Sequence, residues 1–104
     1  MMQINVLTPD LEIFKGNITS VQVPGVSGRF QVLKNHAPIV SALEEGEILF
    51  TTASNAYEYY DLAEQKVKTG EKEGQFFRFK ISGGFIEVLN NQISLLVRGV
   101  SLPD

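Results

Sequence analysis

Apolar and polar residues alternate with a period of two through most of this chain, and no other feature constrains its fold as much. Ile4 and Val6, Leu11 and Ile13, and Val21 and Val23 are each separated by one polar residue. Successive strand side chains point to opposite faces, so this spacing produces one apolar and one solvated face. Phe30 with Val32 and Ile48 with Phe50 continue the pattern, and Phe77, Phe79 and Ile81 share a face opposite Arg78 and Lys80. Ile86 with Val88, then Ile93, Leu95 and Val97, complete it.

Residues that favour turns punctuate these runs: Thr8-Pro9-Asp10, Gly16-Asn17, Glu44-Glu45-Gly46 and Asn90-Asn91. Asparagine tolerates positive φ, so Asn90-Asn91 suits a tight hairpin. Short strands separated by turns predict an all-β fold, a mostly antiparallel β-sandwich or flattened barrel of about nine or ten strands. A chain of 104 residues supports one such domain, expected over residues 1–104. No repeat, heptad or low-complexity tract points elsewhere.

Composition narrows the functional classes. With 43% hydrophobic and 20% charged residues the chain carries enough apolar surface to fold. A net charge of −3 offers no electrostatic basis for nucleic-acid binding. There is no cysteine, which excludes disulfides and cysteine-ligated metals. The N-terminus lacks the basic flank and apolar run of a secretory signal, and no apolar stretch is long enough for a membrane-spanning helix. Any membrane association is therefore expected to be indirect, through partners.

The segment 52–74 breaks the alternation. Asn55 with Glu58 three residues on forms a capping-box pattern, which predicts a short helix placing Tyr60, Ala63 and Val67 on one face and ending at Gly70. The competing reading is an extended hairpin in which Tyr57 to Leu62 prolongs the strand from Ile48. As a mixed-charge insertion it reads first as a solvated excursion.

The only histidine lies in Leu33-Lys34-Asn35-His36-Ala37-Pro38. Asn35 suits a left-handed backbone, and Pro38 fixes its own φ while extending Ala37, so His36 is expected on a stiff exposed turn. With no second histidine and no cysteine, metal and thiol constellations are missing, and the turn reads as a recognition element without a catalytic residue. Pro24-Gly25-Val26-Ser27-Gly28 lacks the lysine and helix of a phosphate loop, and Gly83-Gly84 is followed by strand residues in place of a nucleotide-binding helix. Pro24, Gly25, Gly28, Gly46, Gly83 and Gly84 are read as structural turn, bulge or close-packing positions. Glu44, Glu45 and Glu47 lack the ligand order of a calcium loop, so no metal or cofactor is expected. Glu87, between Phe85 and Val88, reads as semi-buried and in need of a donor such as Arg98.

Taken in order, Pro24-Gly25, Gly28, Phe30 to Val32, Leu33 to Pro38, Glu45-Gly46 and Gly83-Gly84-Phe85-Ile86-Glu87-Val88 resemble the N-terminal β-sandwich of the epsilon subunit of rotary ATP synthases. The resemblance covers residues 3–51 and 75–98. It implies a noncatalytic rotor component that attaches the central gamma stalk to the membrane-embedded c ring of a proton-driven enzyme, supporting ATP synthesis. Residues Lys34, Asn35, His36, Ala37 and Pro38 would then face the gamma subunit and Arg29 the polar loops of the c ring. With no import signal at the N-terminus, it also implies a peripheral place on the cytoplasmic side of a bacterial inner membrane.

The chain departs from the family pattern in three respects. Lys34-Asn35 replaces the usual Pro-Gly before the histidine, and Arg29 stands where relatives are commonly acidic. Only residues 98–104 follow Val97, so the two C-terminal helices of the long form, and with them their inhibitory switch, are expected to be absent. The alternative reading is an unrelated β-sandwich interaction module that docks through the tyrosine-bearing insertion.

Overall fold

The computed structural model describes residues 2–102 and contains ten strands: β1 Met2–Leu7, β2 Glu12–Gly25, β3 Gly28–Leu33, β4 Ile39–Leu43, β5 Gly46–Thr52, β6 Tyr57–Asp61, β7 Lys66–Gly70, β8 Phe76–Ile81, β9 Gly83–Leu89 and β10 Gln92–Arg98. Two layers share the long strand β2. Its first half pairs with β1 and β6, extending one layer through β10, β9 and β4 on one side and β7 on the other. Its second half pairs with β3 and β5, and β5 with β8, to make the second layer. The register shifts between Ile18 and Ser20, where β2 leaves one layer for the other. A bulge bends a strand and increases its twist, which lets one segment serve both layers.

The alternating side chains meet between these layers. Ile4, Val6, Val21, Val23, Val32, Ile48, Ile86 and Leu95 are completely buried, with Phe14 and Phe50 at the centre of an aromatic cluster. The Phe14 and Phe50 ring centroids lie 4.5 Å apart, edge to face, and Phe77 stacks on Phe50 at 5.2 Å. All pairings are antiparallel except β1 with β10, which run parallel.

Two expectations are corrected. Gly16-Asn17 is not a turn: both residues lie inside β2. A Cβ at Gly16 would come within 2.5 Å of the Tyr57 Cβ, so glycine is there to let β6 approach. The helix expected within 52–74 does not form, and among the described residues there is no helix. Asn55 has φ 85°, whereas a helix N-cap takes an extended backbone. The segment is a hairpin, β6–β7, separated from β5 by residues 53–56. Asp61 closes its turn, its carboxylate accepting from the Ala63 and Glu64 amides at 2.9 and 3.0 Å.

The hairpin also belongs to the core. Tyr57 is buried, stacked 5.4 Å from Phe14, and the half-buried Tyr59 meets Phe77 edge-on at 5.2 Å. Burial, and after it the neighbouring Tyr59, raises the Tyr57 phenol above its ordinary pKa. The loop that follows is fastened by Thr52, the one fully buried polar side chain among the described residues. Its hydroxyl donates to the Lys72 carbonyl at 2.7 Å and accepts from the Gln75 amide at 2.9 Å.

Candidate partner-binding surface

Leu33 to Pro38 joins β3 to β4. The His36 amide donates to the Leu33 carbonyl at 3.1 Å, and Asn35 takes φ 66°. A positive φ at the third of four residues is the pattern of a type II turn, which asparagine enters at modest cost. Lys34, Asn35, Ala37 and Pro38 are exposed and His36 is half-buried, with Nδ1 2.7 Å from the Ala37 carbonyl oxygen. That bond orients the imidazole against its own turn.

The turn is also tied to the tip of the β9–β10 hairpin. The Asn35 amide donates to Asn91 Oδ1 at 2.6 Å, and Asn91 Nδ2 donates to Asn35 Oδ1 at 3.0 Å. Asn90 and Asn91 take φ 50° and 62°, the two left-handed residues of a type I′ hairpin. Asn91 was legible in the sequence as a turn former, but nothing in a linear pattern pairs it with Asn35.

Arg29 stands at the other end of β3. It is exposed, and the length of that strand, roughly 13–17 Å at the usual rise, separates it from the histidine turn. At this end Gly25 pairs with Gly28, which has φ 127°, across the two-residue connection Val26-Ser27. The Glu44 amide donates to the Pro24 carbonyl at 2.9 Å, and a Cβ at Gly46 would lie 2.8 Å from the Pro24 Cβ, so the two reversals are packed together. An open groove of about 710 Å³ adjoins them, with Arg29, Glu45, Glu47, Arg78 and Lys80 in its walls. Arg78 Nε lies 3.1 Å from the Glu47 carboxylate. The groove is thus polar and of mixed charge.

Gly83 and Gly84 open β9 opposite Arg98 and Val97. Gly84 has φ 154°, and a Cβ there would collide with the Leu96 carbonyl, so this pair is a close backbone approach. Glu87 is exposed, not semi-buried: it points outward between buried Ile86 and Val88 and needs no buried donor. Among the described residues no group of three His, Cys, Asp or Glu side chains is placed to hold a metal.

Such a molecule is an all-β sandwich with polar turns at both ends of one strand. Residues 1–64 match the family described as ATP synthase, Delta/Epsilon chain, beta-sandwich domain. The ATP synthase epsilon chain of Chlorobaculum tepidum is 34% identical over 98 residues, spanning 94% of this chain and 90% of that one. That of Chlorobium limicola is 31% identical over 99 residues, spanning 95% and 91%. The epsilon chain of Salinibacter ruber is also 31% identical over 99 residues, yet the match spans only 59% of its length. Among solved structures, a chain in the central stalk/c-ring of the Tetrahymena thermophila mitochondrial ATP synthase superposes with TM-score 0.65 at 15% identity, covering 97% of this chain and 66% of its own. A chain of the Euglena gracilis mitochondrial ATP synthase gives 0.63 at 18% identity, covering 96% and 52%. At those identities the likeness is one of fold.

The chain belongs to the ATP synthase delta/epsilon family, and within it to the epsilon chains, noncatalytic subunits of the complex. This membership replaces the reading of an unrelated interaction module. The tyrosines on which that reading relied turn partly into the core.

Proposed function

We propose that this epsilon subunit works in the central stalk as a rotor component, linking the gamma subunit to the c ring of a proton-translocating ATP synthase. On this reading it sits peripherally on the cytoplasmic side of a bacterial inner membrane and is held there by its partners. Lys34 to Pro38 contact gamma, and Arg29 contacts the polar loops of the ring.

The observation that carries the reading is the placement of these segments at opposite ends of β3. A linker under torque must bind at two separated points and resist shear between them. β3 is hydrogen-bonded to β2 from Ser20↔Leu33 to Gly25↔Gly28, and β2 is in turn bonded to β5. Close packing gives the interior low compressibility, so load at one end reaches the other without being lost in deformation. The acidic and basic residues around the groove suit a polar loop as partner, with Arg29 favouring a carboxylate or carbonyl.

Reconstitution tests the proposal. A rotor assembled without this chain is expected to hydrolyse ATP while losing proton-driven synthesis, measured in vesicles under an imposed gradient. Unchanged synthesis in its absence counts against the linking role.

A further inference from the structure

We propose that Asn91 is the positioning residue for the His36 turn, acting from another hairpin to hold the turn in its binding conformation. The inference rests on the reading of that turn as the gamma contact. Within itself the turn is closed by a single backbone bond, His36 amide to Leu33 carbonyl. Five of its six residues are exposed, so little packing restrains it. The His36 ring leans on the Ala37 carbonyl and Ile39 pairs with Val88 where β4 begins; the one side-chain restraint on Asn35 comes from a residue 56 positions away.

The geometry is specific. The Asn35 backbone N–H can only donate, so its 2.6 Å bond requires the oxygen of the Asn91 amide to face it. The Asn91 nitrogen is then turned toward Asn35 Oδ1, 3.0 Å away, and one side-chain amide engages both the backbone and the side chain of Asn35. Asn91 is itself well anchored: its carbonyl accepts from the Gln3 amide at 2.9 Å, which ties the hairpin tip to β1. Asn90, adjacent and also left-handed, takes no part in the pair. The turn, which carries the chain from β3 in one layer to β4 in the other, is thereby fastened a second time to the layer of β1, β4, β9 and β10.

A turn that visits its binding conformation only part of the time binds with affinity reduced by that fraction. Removing two exposed hydrogen bonds is expected to weaken gamma binding about three- to tenfold. Asn91→Gly is the informative variant. It removes the amide yet keeps the left-handed backbone, and Asn-Gly is a favoured type I′ sequence, so the hairpin should form and the melting temperature should hold. Asn35→Gly removes only the side-chain bond, because its backbone N–H remains, and should cost less. The double variant should fall little further than Asn91→Gly alone, and Asn90→Gly should bind as the unmodified protein does.

The test is titration of these four variants against purified gamma subunit, together with amide hydrogen exchange at His36 in the free chain. Faster His36 exchange in Asn91→Gly, with the predicted order of affinities, supports the assignment. Unchanged exchange and unchanged affinity overturn it, as do losses that add independently in the double variant. Faster exchange with full affinity also overturns it, because the turn would then be held for structural reasons alone. If the unmodified chain fails to bind gamma, the proposed function fails, and the exchange measurement still tests the lock.

Discussion

At the scale of single residues, backbone conformation connects this chain's chemistry to its shape. Asn35, Asn90 and Asn91 all take positive φ, and each could be anticipated because asparagine enters that region more readily than other non-glycine residues. Gly84 also takes a positive φ, with backbone in the place of its missing Cβ. Gly84→Ala should therefore destabilise the protein by about 2–4 kcal/mol, through strain and overpacking together. Chemical denaturation should show a lower midpoint with an unchanged slope. Arg29 was visible in the sequence as a cation beside a glycine turn, but its groove was not, since Glu47, Arg78 and Lys80 come from β5 and β8. Arg29→Glu should weaken c-ring association about two- to fivefold at low salt, less at high salt, and leave gamma binding unchanged. Binding of the variant to each isolated partner across a salt series checks this.

At the scale of elements, the β6–β7 hairpin is the informative case. Its sequence carries a capping-box pattern, and locally that pattern favours a helix. The strand reading wins because Tyr57 and Tyr59, two apart, both find aromatic partners when they alternate, whereas a helix would turn them to different faces. Tyr57→Ala should cost about 3–5 kcal/mol, the range for truncating a buried aromatic residue, measured by urea unfolding. The hairpin turn adds a pH dependence. Lys68 donates to the Asp61 carboxylate and holds its pKa below the ordinary aspartate value, with the Ala63 amide assisting. A depressed carboxylate pKa stabilises the fold fully above its unfolded value, and that contribution is lost as pH falls below the ordinary aspartate value toward the lower folded one. Stability should thus decline in this acid window, and less steeply in Asp61→Asn, as followed by thermal melts at stepped pH.

At the scale of the whole molecule, the first and last strands lie side by side. β1 sits between β2 and β10, with Ile4 opposite Ile93 and Val6 opposite Leu95, all of them buried. Ile4→Ala should therefore cost about 2–5 kcal/mol, and its effect should not add to that of Ile93→Ala because they are neighbours. A chain that must bring its two ends together before this layer closes has high contact order, and refolding on the millisecond-to-second scale is expected in stopped-flow fluorescence. The same closure makes the domain one mechanical body, as the proposed linking role requires.

Outside the insertion, the strand segments, most of their turns and the apolar face of each were legible in the chain, because alternation and backbone preference act over a few residues. It also carried the order of turns that marks the epsilon family. Tertiary structure alone decided that Gly16-Asn17 runs straight through β2, that the insertion is a hairpin, that β1 and β10 run parallel, and that Asn91 reaches Asn35. Each of these depends on a residue distant in the chain: Tyr57 against Gly16, Phe14 and Phe77 against the tyrosines, β10 against β1, and one amide against another. Their energies exist only once the layers have met, and no local pattern encodes them.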